Sequence, residues 1–309
     1  MKKNILVIKH SAFGDFVQAL GVMRAIRIHH KGDHITLLTT KPFVRLAEAS
    51  GYFDAVAVDL RPKWYEFAKW FAFRKFLNDG KFARVYDLQN SERTGLYLSL
   101  FRRIPEWNGI AFSASHRISD DAQRKAMHVF DALRAQLAIA GIVKITPDDL
   151  SWLESDAFTL TLPRPYVLIA AGSSPQHPKK RWPADRYGEI CQWLAAQGFT
   201  PVLLGTQDDA AVNAAIAQAC PQAVDLTGKT AITDIPALAR AARAALGNDT
   251  GPIQMIGPTG CKTLGLYPGF SNPRRHGPLG AHVLTIQGET MDAISIDDVK
   301  AAFTPFLSV

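Results

Sequence analysis

Short apolar runs alternate with longer amphipathic stretches along the whole chain. Within the runs, apolar residues are nearly continuous instead of alternating with polar ones, which is typical of parallel strands covered on both faces. The longer stretches between them have the character of helices. Because strand and helix alternate in both halves of the chain, the pattern predicts an α/β protein with two doubly wound domains.

The predicted strands form one group in each half of the chain. Those of the first half read ILVIK, HITLLTT, AVAVDL, ARVYDLQ and GIAFS, and those of the second half read YVLIAAG, TPVLLGT, AVDLTG, AALGND, TLGLYP and HVLTI. The predicted helices cover residues 16–30, 42–50, 64–78, 120–141, 184–197 and 208–219, and a terminal helix lies in ISIDDVKAAFTPFL.

Residues 146–165 separate the two groups of strands. This stretch contains three prolines and many acidic residues and has little periodicity, as is common at domain boundaries. We therefore predict a first domain over residues 1–155 and a second over residues 156–309, with the terminal helix able to pack back onto the first domain.

The composition is that of a globular protein. Hydrophobic residues make up 47% and charged residues 20% of the 309 positions, which is enough apolar surface for two cores. No apolar run approaches the roughly 20 residues that a membrane-spanning helix needs. The run near the amino terminus has four apolar residues, fewer than the core of a signal peptide. We expect a cytoplasmic protein.

The charge balance indicates the kind of partner. The net charge is +7, which favours anionic partners such as a nucleotide, a phosphorylated lipid or a membrane surface. No zinc-finger or RNA-binding pattern is present, so nucleic acid is not expected. Cys191, Cys220 and Cys261 lie far apart without the spacing of metal ligands, so we expect reduced, buried thiols.

The stretch KHSAFGDFVQAL carries the first candidate for chemistry. It places Asp15 after Gly14 and at the predicted start of a helix. A helix N-terminus favours a carboxylate, and Gly14 permits another group to approach closely. Asp15 could equally be a structural N-cap. Neither the dinucleotide fingerprint G-x-G-x-x-G nor the phosphate loop G-x-x-x-x-G-K-[ST] is present.

A second candidate follows the first predicted strand of the second half, in AAGSSPQHPKKRWP. Ligands of open parallel sheets bind beyond the carboxyl ends of the strands. Gly172, Ser173 and Ser174 offer backbone N–H groups and hydroxyls there, and the cations of residues 179–181 follow. The combination suits a diphosphate, although a solvated basic loop is the alternative.

Two further loops follow strands of the same domain. In ALGNDTGPIQMIGPTG, Thr250 and the backbone N–H of Gly251 could cradle a phosphate, while a helix cap by Asp249 or Thr250 is the alternative. In GTQDDAA, Asp208 or Asp209 could accept hydrogen bonds from ribose hydroxyls. The alternative for this acidic pair is stabilisation of a helix N-terminus.

Residues 61–84 combine seven basic residues, eight aromatic residues and two acids. Such a segment could lie on a membrane surface and meet anionic headgroups. A core-facing helix with a basic outer face is the alternative, and both can hold.

Together these stretches resemble glycosyltransferase family nine, the bacterial heptosyltransferases of lipopolysaccharide core assembly. The resemblance extends over nearly the whole chain and is carried by ILVIKHSAFGDFVQAL, DLQ, PYVLIAAGSS, KRWP, PVLLGT, DLTGKT and GNDTGP, in the family's order. It implies the GT-B fold, with two Rossmann-like domains facing across a cleft. It also implies inverting transfer of a heptose from ADP-heptose to an anionic lipopolysaccharide acceptor, with possible contact to the inner membrane.

The resemblance assigns roles to particular residues. It implies that Asp15 is the catalytic base and that Lys9 and Gly14 support the acceptor side. The residues implied in donor binding are Ser173, Ser174, Lys180, Asp208 or Asp209, Asp249, Thr250 and Gly251. Many relatives have His where this chain has Gln254, which hydrogen-bonds but carries no charge.

No metal or cofactor is expected, because the chain lacks the D-x-D stretch that holds a metal–diphosphate complex in the other major glycosyltransferase fold. Three alternatives remain at this point. They are a nicotinamide oxidoreductase, a transferase of another nucleotide sugar or to a protein acceptor, and a non-catalytic sugar-nucleotide-binding protein.

Overall fold

The computed structural model describes residues 2–119, 122–153 and 161–308. The chain divides into two compact units, Met1–Asp148 and Asp149–Val309. The predicted domain boundary between residues 155 and 156 lies outside the described residues.

The first unit is built on one parallel sheet. Its strands are β1 (Asn4–Ile8), β2 (His34–Thr39), β3 (Ala55–Val58), β4 (Phe82–Asp87), β5 (Glu106–Gly109) and β6 (His116–Arg117). Its helices are α1 (Phe13–His29), α2 (Val44–Ser50), α3 (Phe67–Asp79), α4 (Glu92–Tyr97), α5 (Ala122–Ala126) and α6 (Val129–Ile139). The strand order is β3-β2-β1-β4-β5-β6, so the direction of winding reverses between β1 and β4, where ligands of such sheets bind.

The second unit repeats this arrangement. Its strands are β7 (Tyr166–Ala170), β8 (Thr200–Leu203), β9 (Val224–Asp225), β10 (Ala244–Asn248), β11 (Thr263–Pro268) and β12 (Val283–Gly288). Its helices are α7 (Ala184–Ala196), α8 (Ala210–Ala219), α9 (Ile235–Ala241), α10 (Gly251–Ile256), α11 (Pro273–His276) and α12 (Ile296–Leu307). The order β12-β11-β10-β7-β8-β9 places β7 and β10 at the switch point. The predicted fold class, two doubly wound α/β units, is confirmed.

The central strands are apolar along their length because both faces of each sheet are covered. The residues of β7 are all buried, as are those of β1 after Asn4. The terminal helix α12 contributes Val299, Phe303 and Leu307 to the core of the second unit. Among the helices of the described ranges, none is long and apolar enough to span a bilayer.

Two predicted elements differ from the structure. The strand predicted in GIAFS lies earlier, in β5, because Trp107 is the side chain of this segment that packs into the core. The helix predicted over 120–141 is two helices, and the ring of His128 accepts a hydrogen bond from the Phe130 N–H to cap the second. Residues 120 and 121 of that prediction lie outside the described residues.

Candidate functional site

Asp15 lies in the first turn of α1 and is half-buried. The helix begins at Phe13, and Ala12 occupies the N-cap position with extended backbone. Asp15 is therefore not the N-cap residue, and Gly14 lies inside the helix and not in the preceding loop. The carboxylate nevertheless stands where the partial positive charge of a helix N-terminus favours it.

The loop between β1 and α1 is held by its neighbours in the sheet. The side-chain oxygen of Gln89 accepts hydrogen bonds from the backbone N–H groups of His10 at 2.8 Å and Ser11 at 3.1 Å. The hydroxyl of Thr40 donates to the carbonyl of His10 at 2.8 Å. The residues that follow β4 and β2 thus fix the backbone that leads into Asp15.

Lys9, directly after β1, is a buried lysine, and Asp87, the last residue of β4, is a buried carboxylate. The ammonium of Lys9 donates to the carbonyl of Leu88 at 3.5 Å. Burial lowers the pKa of Lys9, while the carboxylates of Asp15 and Asp87 act in the opposite direction. Burial raises the pKa of Asp87 to about 6, although its Oδ1 accepts N–H groups from Gln89 and from residue 90. The ammonium of Lys9 therefore interacts electrostatically with the carboxylates of both Asp15 and Asp87.

A second buried group stands beside this pair. The Nε2 atom of His10 lies 3.2 Å from Oδ2 of Asp59, and the hydroxyl of Tyr97 donates to the same oxygen at 2.6 Å. The other oxygen of Asp59 accepts the backbone N–H of Arg61 at 2.7 Å. Burial lowers the pKa of His10 to about 4, so the ring is neutral at pH 7.

Sequence reasoning assigned no role to Asp59, Asp87, Gln89 or Tyr97. The available signal was a carboxylate at the end of an apolar run, in AVAVDL and in ARVYDLQ. Such residues end parallel strands, and the carboxyl ends of neighbouring strands meet at one edge of the sheet.

In the second unit, the structure brings Lys180 and Asp249 together. The Lys180 ammonium donates to Oδ2 of Asp249 at 2.6 Å, and the hydroxyl of Ser271 donates to the same oxygen at 2.8 Å. The two loops meet because β7 and β10 are adjacent strands. Both side chains of the pair are partly exposed.

The two predicted hydroxyls have different surroundings. Ser173 is buried, and its hydroxyl donates to the carbonyl of His177 at 3.0 Å. Arg181 donates to the Ser173 hydroxyl at 3.2 Å and to its carbonyl at 2.9 Å. Ser174 is exposed and donates to the side chain of Gln176. Ser173 therefore shapes its own loop, whereas Ser174 lies at the surface of it.

The two acidic residues after β8 also differ in burial. Asp209 is buried and accepts the backbone N–H and the hydroxyl of Thr206, at 3.0 and 3.1 Å. It lies directly against Gly172, where an added Cβ would come within 2.2 Å of Oδ1. Asp208 is exposed. Asp208 is thus the member of the pair with an accessible carboxylate.

The turn after β10 is completed by a short helix. Thr250 occupies the N-cap position of α10 but makes no side-chain cap, and its hydroxyl donates to the Asn248 carbonyl at 3.2 Å. Gly251 begins this six-residue helix, so its dipole is small. Gln254 is buried and donates to the carbonyl of His276 at 2.8 Å, which ties α10 to α11.

Neither thiols nor acids gather into a metal centre in the described part of the chain. No group of three or more His, Cys, Asp or Glu residues there could hold a metal ion. Cys191, Cys220 and Cys261 are buried free thiols, as predicted, and burial raises the pKa of Cys261 to about 12.

Comparison with known proteins places the chain in a family. The sequence model of glycosyltransferase family 9 (heptosyltransferase) matches residues 70–300, about three quarters of the chain. Lipopolysaccharide heptosyltransferase 2 of Salmonella typhimurium is 24% identical over 306 residues, which covers 88% of this chain and 86% of that protein.

Solved structures agree on the fold. The ADP-heptose lipopolysaccharide heptosyltransferase II of Escherichia coli superposes with a TM-score of 0.75 at 20% identity, over 99% of this chain and 98% of that one. The family 9 glycosyltransferase of Veillonella parvula gives a TM-score of 0.78 at 20% identity, over 99% and 97%. The fold is thus that of heptosyltransferases of the GT-B type. On the family match and the shared fold, the chain belongs to glycosyltransferase family 9, the heptosyltransferases, and is a glycosyltransferase.

Proposed function

We propose that this protein is an inverting heptosyltransferase, which transfers a heptose from ADP-heptose to a sugar of the lipopolysaccharide core. Family membership and the names of the relatives support the donor and acceptor classes. The observation that carries the mechanism is Asp15, a half-buried carboxylate in the first turn of the helix that follows β1. The buried ammonium of Lys9 acts on it electrostatically.

Asp15 is the general base in this proposal. The acceptor hydroxyl oxygen forms a bond to the anomeric carbon as the bond from that carbon to the diphosphate breaks. The proton goes to Asp15, and ADP leaves with the electron pair. One displacement inverts the anomeric centre, so no second nucleophilic carboxylate is needed. The helix N-terminus lowers the basicity of Asp15, which suits proton removal late in an oxocarbenium-like transition state.

The second unit holds the donor. Lys180 is the cation for the diphosphate, and the exposed hydroxyl of Ser174 and the turn at Thr250 and Gly251 supply further donors. Such groups, aimed at charge that develops on the leaving phosphate, are among the largest contributions to catalysis. The exposed carboxylate of Asp208 is the group for the ribose hydroxyls.

These cations and N–H groups take the place of a metal ion in the proposal. We expect full transfer activity in excess chelator, because Lys180 neutralises the diphosphate that magnesium would otherwise hold. The check is the initial rate with and without a chelator after dialysis. A rate that collapses in chelator and returns with magnesium contradicts metal independence but leaves the assigned donor and acceptor untouched.

In this proposal, the reaction takes place at the cytoplasmic face of the inner membrane. A lipopolysaccharide precursor is anchored there by its lipid, and a nucleotide sugar is a cytoplasmic donor. The net charge of +7 suits an acceptor that carries phosphate groups.

The decisive experiment incubates the protein with ADP-heptose and a series of truncated lipopolysaccharides and measures the products by mass spectrometry. The expected result is the addition of one heptose to one acceptor of the series. Parallel reactions with other nucleotide sugars and with protein acceptors test the donor and acceptor classes. If none of the lipopolysaccharides gains mass, the proposed acceptor is wrong.

Asp15→Asn tests the mechanism within that assay. Turnover should fall by about 10²- to 10⁴-fold, the usual contribution of a general base, whereas ADP binding measured by calorimetry should persist. Unchanged turnover would make Asp15 a structural residue only.

A further inference from the structure

Helix α3 and the turn before it expose a cluster of large apolar side chains. Its members are Leu60, Trp64, Tyr65, Phe67 and Phe71, which we name the α3 surface. The exposed fraction is 81% for Trp64 and 73% for both Phe67 and Phe71. Single exposed apolar residues are ordinary, but a contiguous group of aromatic residues marks a site of interaction.

The α3 surface is held in place by the rest of the helix. The opposite face of α3 packs Trp70, Phe73, Phe76 and Leu77 against the core of the first unit. The indole N–H of Trp70 donates to the carbonyl of Lys63 at 3.0 Å, which fixes the turn that carries Trp64 and Tyr65. The helix therefore has one aromatic face for the core and a second one that is left to solvent.

Basic residues continue the α3 surface. Residues 60–81 contain six basic and two acidic side chains. Arg74 and Lys75 are exposed one to two turns beyond Phe67 and Phe71. The side chain of Asn78 accepts the backbone N–H of Arg102 at 2.7 Å and donates to the Leu100 carbonyl at 3.0 Å. These bonds hold the exposed Arg102, Arg103 and Ile104 beside the end of α3.

We propose that the α3 surface docks on a bilayer of anionic phospholipids. Aromatic side chains are favoured at the boundary between headgroups and acyl chains, where their rings are partly buried. Lysine and arginine beside them meet the negative surface potential of such a membrane. A second copy of the chain is a poorer occupant, because self-association would bring two positively charged surfaces together.

This inference extends the proposed function, since a lipid-anchored acceptor would lie in the same surface. It does not depend on that function for its test. Binding of the full chain to vesicles is measured without donor or acceptor, so a wrong donor or acceptor assignment would not alter the result.

The first measurement is co-sedimentation with vesicles of phosphatidylethanolamine and phosphatidylglycerol, compared with vesicles of phosphatidylcholine. The protein should bind the anionic vesicles, and binding should weaken with salt. Phe67→Ser/Phe71→Ser should lower the partition coefficient by about ten-fold or more. The matched control is Ile28→Ser/Val143→Ser, which removes two exposed apolar side chains elsewhere in the same unit and should leave binding unchanged.

The contribution of the basic residues to membrane binding is tested separately. Lys63→Gln/Arg74→Gln should lower binding to the anionic vesicles by about ten-fold and leave binding to phosphatidylcholine unaltered. Circular dichroism and thermal unfolding of each variant establish that lost binding does not reflect lost folding. The transfer rate to an acceptor sugar without its lipid should be the same in these variants as in the natural sequence.

Trp64 gives a local readout that no unfolding effect can imitate. Its emission should shift to shorter wavelength when vesicles are added, and Trp64→Phe should abolish that shift. Equal losses in the test and control variants, or no binding to anionic vesicles, would overturn the proposal. So would a dimer, seen by sedimentation equilibrium without lipid, that Phe67→Ser/Phe71→Ser dissociates.

Discussion

The loops that follow the strands lie at the carboxyl-end edge of the sheet in both units, yet their polar side chains differ in burial. In the first unit, Lys9, His10, Asp59 and Asp87 are at most 3% exposed. In the second unit, the side chains of Lys180 and Asp249 are 24% and 14% exposed, and Ser174 and Asp208 lie at the surface.

The difference indicates different roles. Charges that are removed from water must be held by fixed hydrogen bonds, so the groups of the first unit form a rigid support for the loop that carries Asp15. A partly exposed ion pair such as that of Lys180 contributes little to stability and can exchange its partner for a ligand. The position in the sheet thus locates a site, while burial decides whether a residue stabilises that site or binds the ligand.

Among the substitutions that test this comparison, the largest effect is expected at the exchangeable pair. Lys180→Ala should lower kcat/KM by about 10²- to 10³-fold, as expected when one electrostatic stabiliser of a leaving group is lost. Stability should fall by no more than about 1 kcal/mol, because the ion pair is partly exposed. The readouts are transfer kinetics and urea unfolding.

Lys179→Ala is the matched control for that experiment, since it removes the same charge from the adjacent exposed position. If both variants lose activity equally, Lys180 acts only through the overall charge of the loop.

The next effect concerns the dependence of stability on pH in the first unit. The folded pKa of Asp87 is raised from 3.8 to about 6, so its contribution to stability is lost as the pH rises through that window. The folded pKa of His10 is lowered from 6.5 to about 4, so its contribution is lost as the pH falls through nearly the same window. In the natural sequence, the two residues therefore change the free energy of unfolding in opposite directions as the pH rises.

When one of these two residues is substituted, the effect of the other on the pH dependence of stability should become measurable. Between about pH 4 and about pH 6, and relative to the natural sequence, the free energy of unfolding should rise with pH in Asp87→Asn and fall with pH in His10→Gln, by about 2–3 kcal/mol each. Urea unfolding at several pH values measures both slopes, and comparing the variants removes the background of the other acids. A slope in Asp87→Asn that is no more positive than the slope in His10→Gln would contradict the assignment.

A smaller effect is expected at Gln89, which positions the loop before Asp15. Gln89→Ala removes the acceptor of two backbone N–H groups, so turnover should fall about ten-fold and stability by about 1–2 kcal/mol. Gln89→Glu retains the acceptor oxygens and should restore most of the turnover. If the two variants behave alike, the hydrogen bonds do not position the loop.

The smallest effect is expected at Gln254, the position where the resemblance to the family implies His in many relatives. Gln254 is buried and donates to the His276 carbonyl, and a histidine N–H can do the same. Gln254→His should therefore change kcat/KM by less than about five-fold, the size of one neutral hydrogen bond. A change of about a hundred-fold in transfer kinetics would instead place this side chain in contact with the donor.

The sequence by itself determined the fold class and the places where chemistry could lie. Parallel strands that are covered on both faces need continuous apolar runs, and this signal is local, so AAGSS, GTQDD and GNDTG could be recognised as loops at the carboxyl ends of strands. It also indicated the buried state of the three thiols. Its errors lay where the local signal is weak, as in GIAFS, whose apolar letters follow the actual strand β5.

Only the tertiary structure decided which of the candidate side chains are accessible. Nothing in GTQDDAA distinguishes Asp208 from Asp209, because the burial of Asp209 depends on its packing against Gly172. The sequence also does not show which of Ser173 and Ser174 is buried. Nor does it show the ion pair of Lys180, whose partner Asp249 lies 69 positions away. Apolar periodicity is a property of neighbours along the chain, whereas desolvation and hydrogen bonding depend on residues that folding brings together.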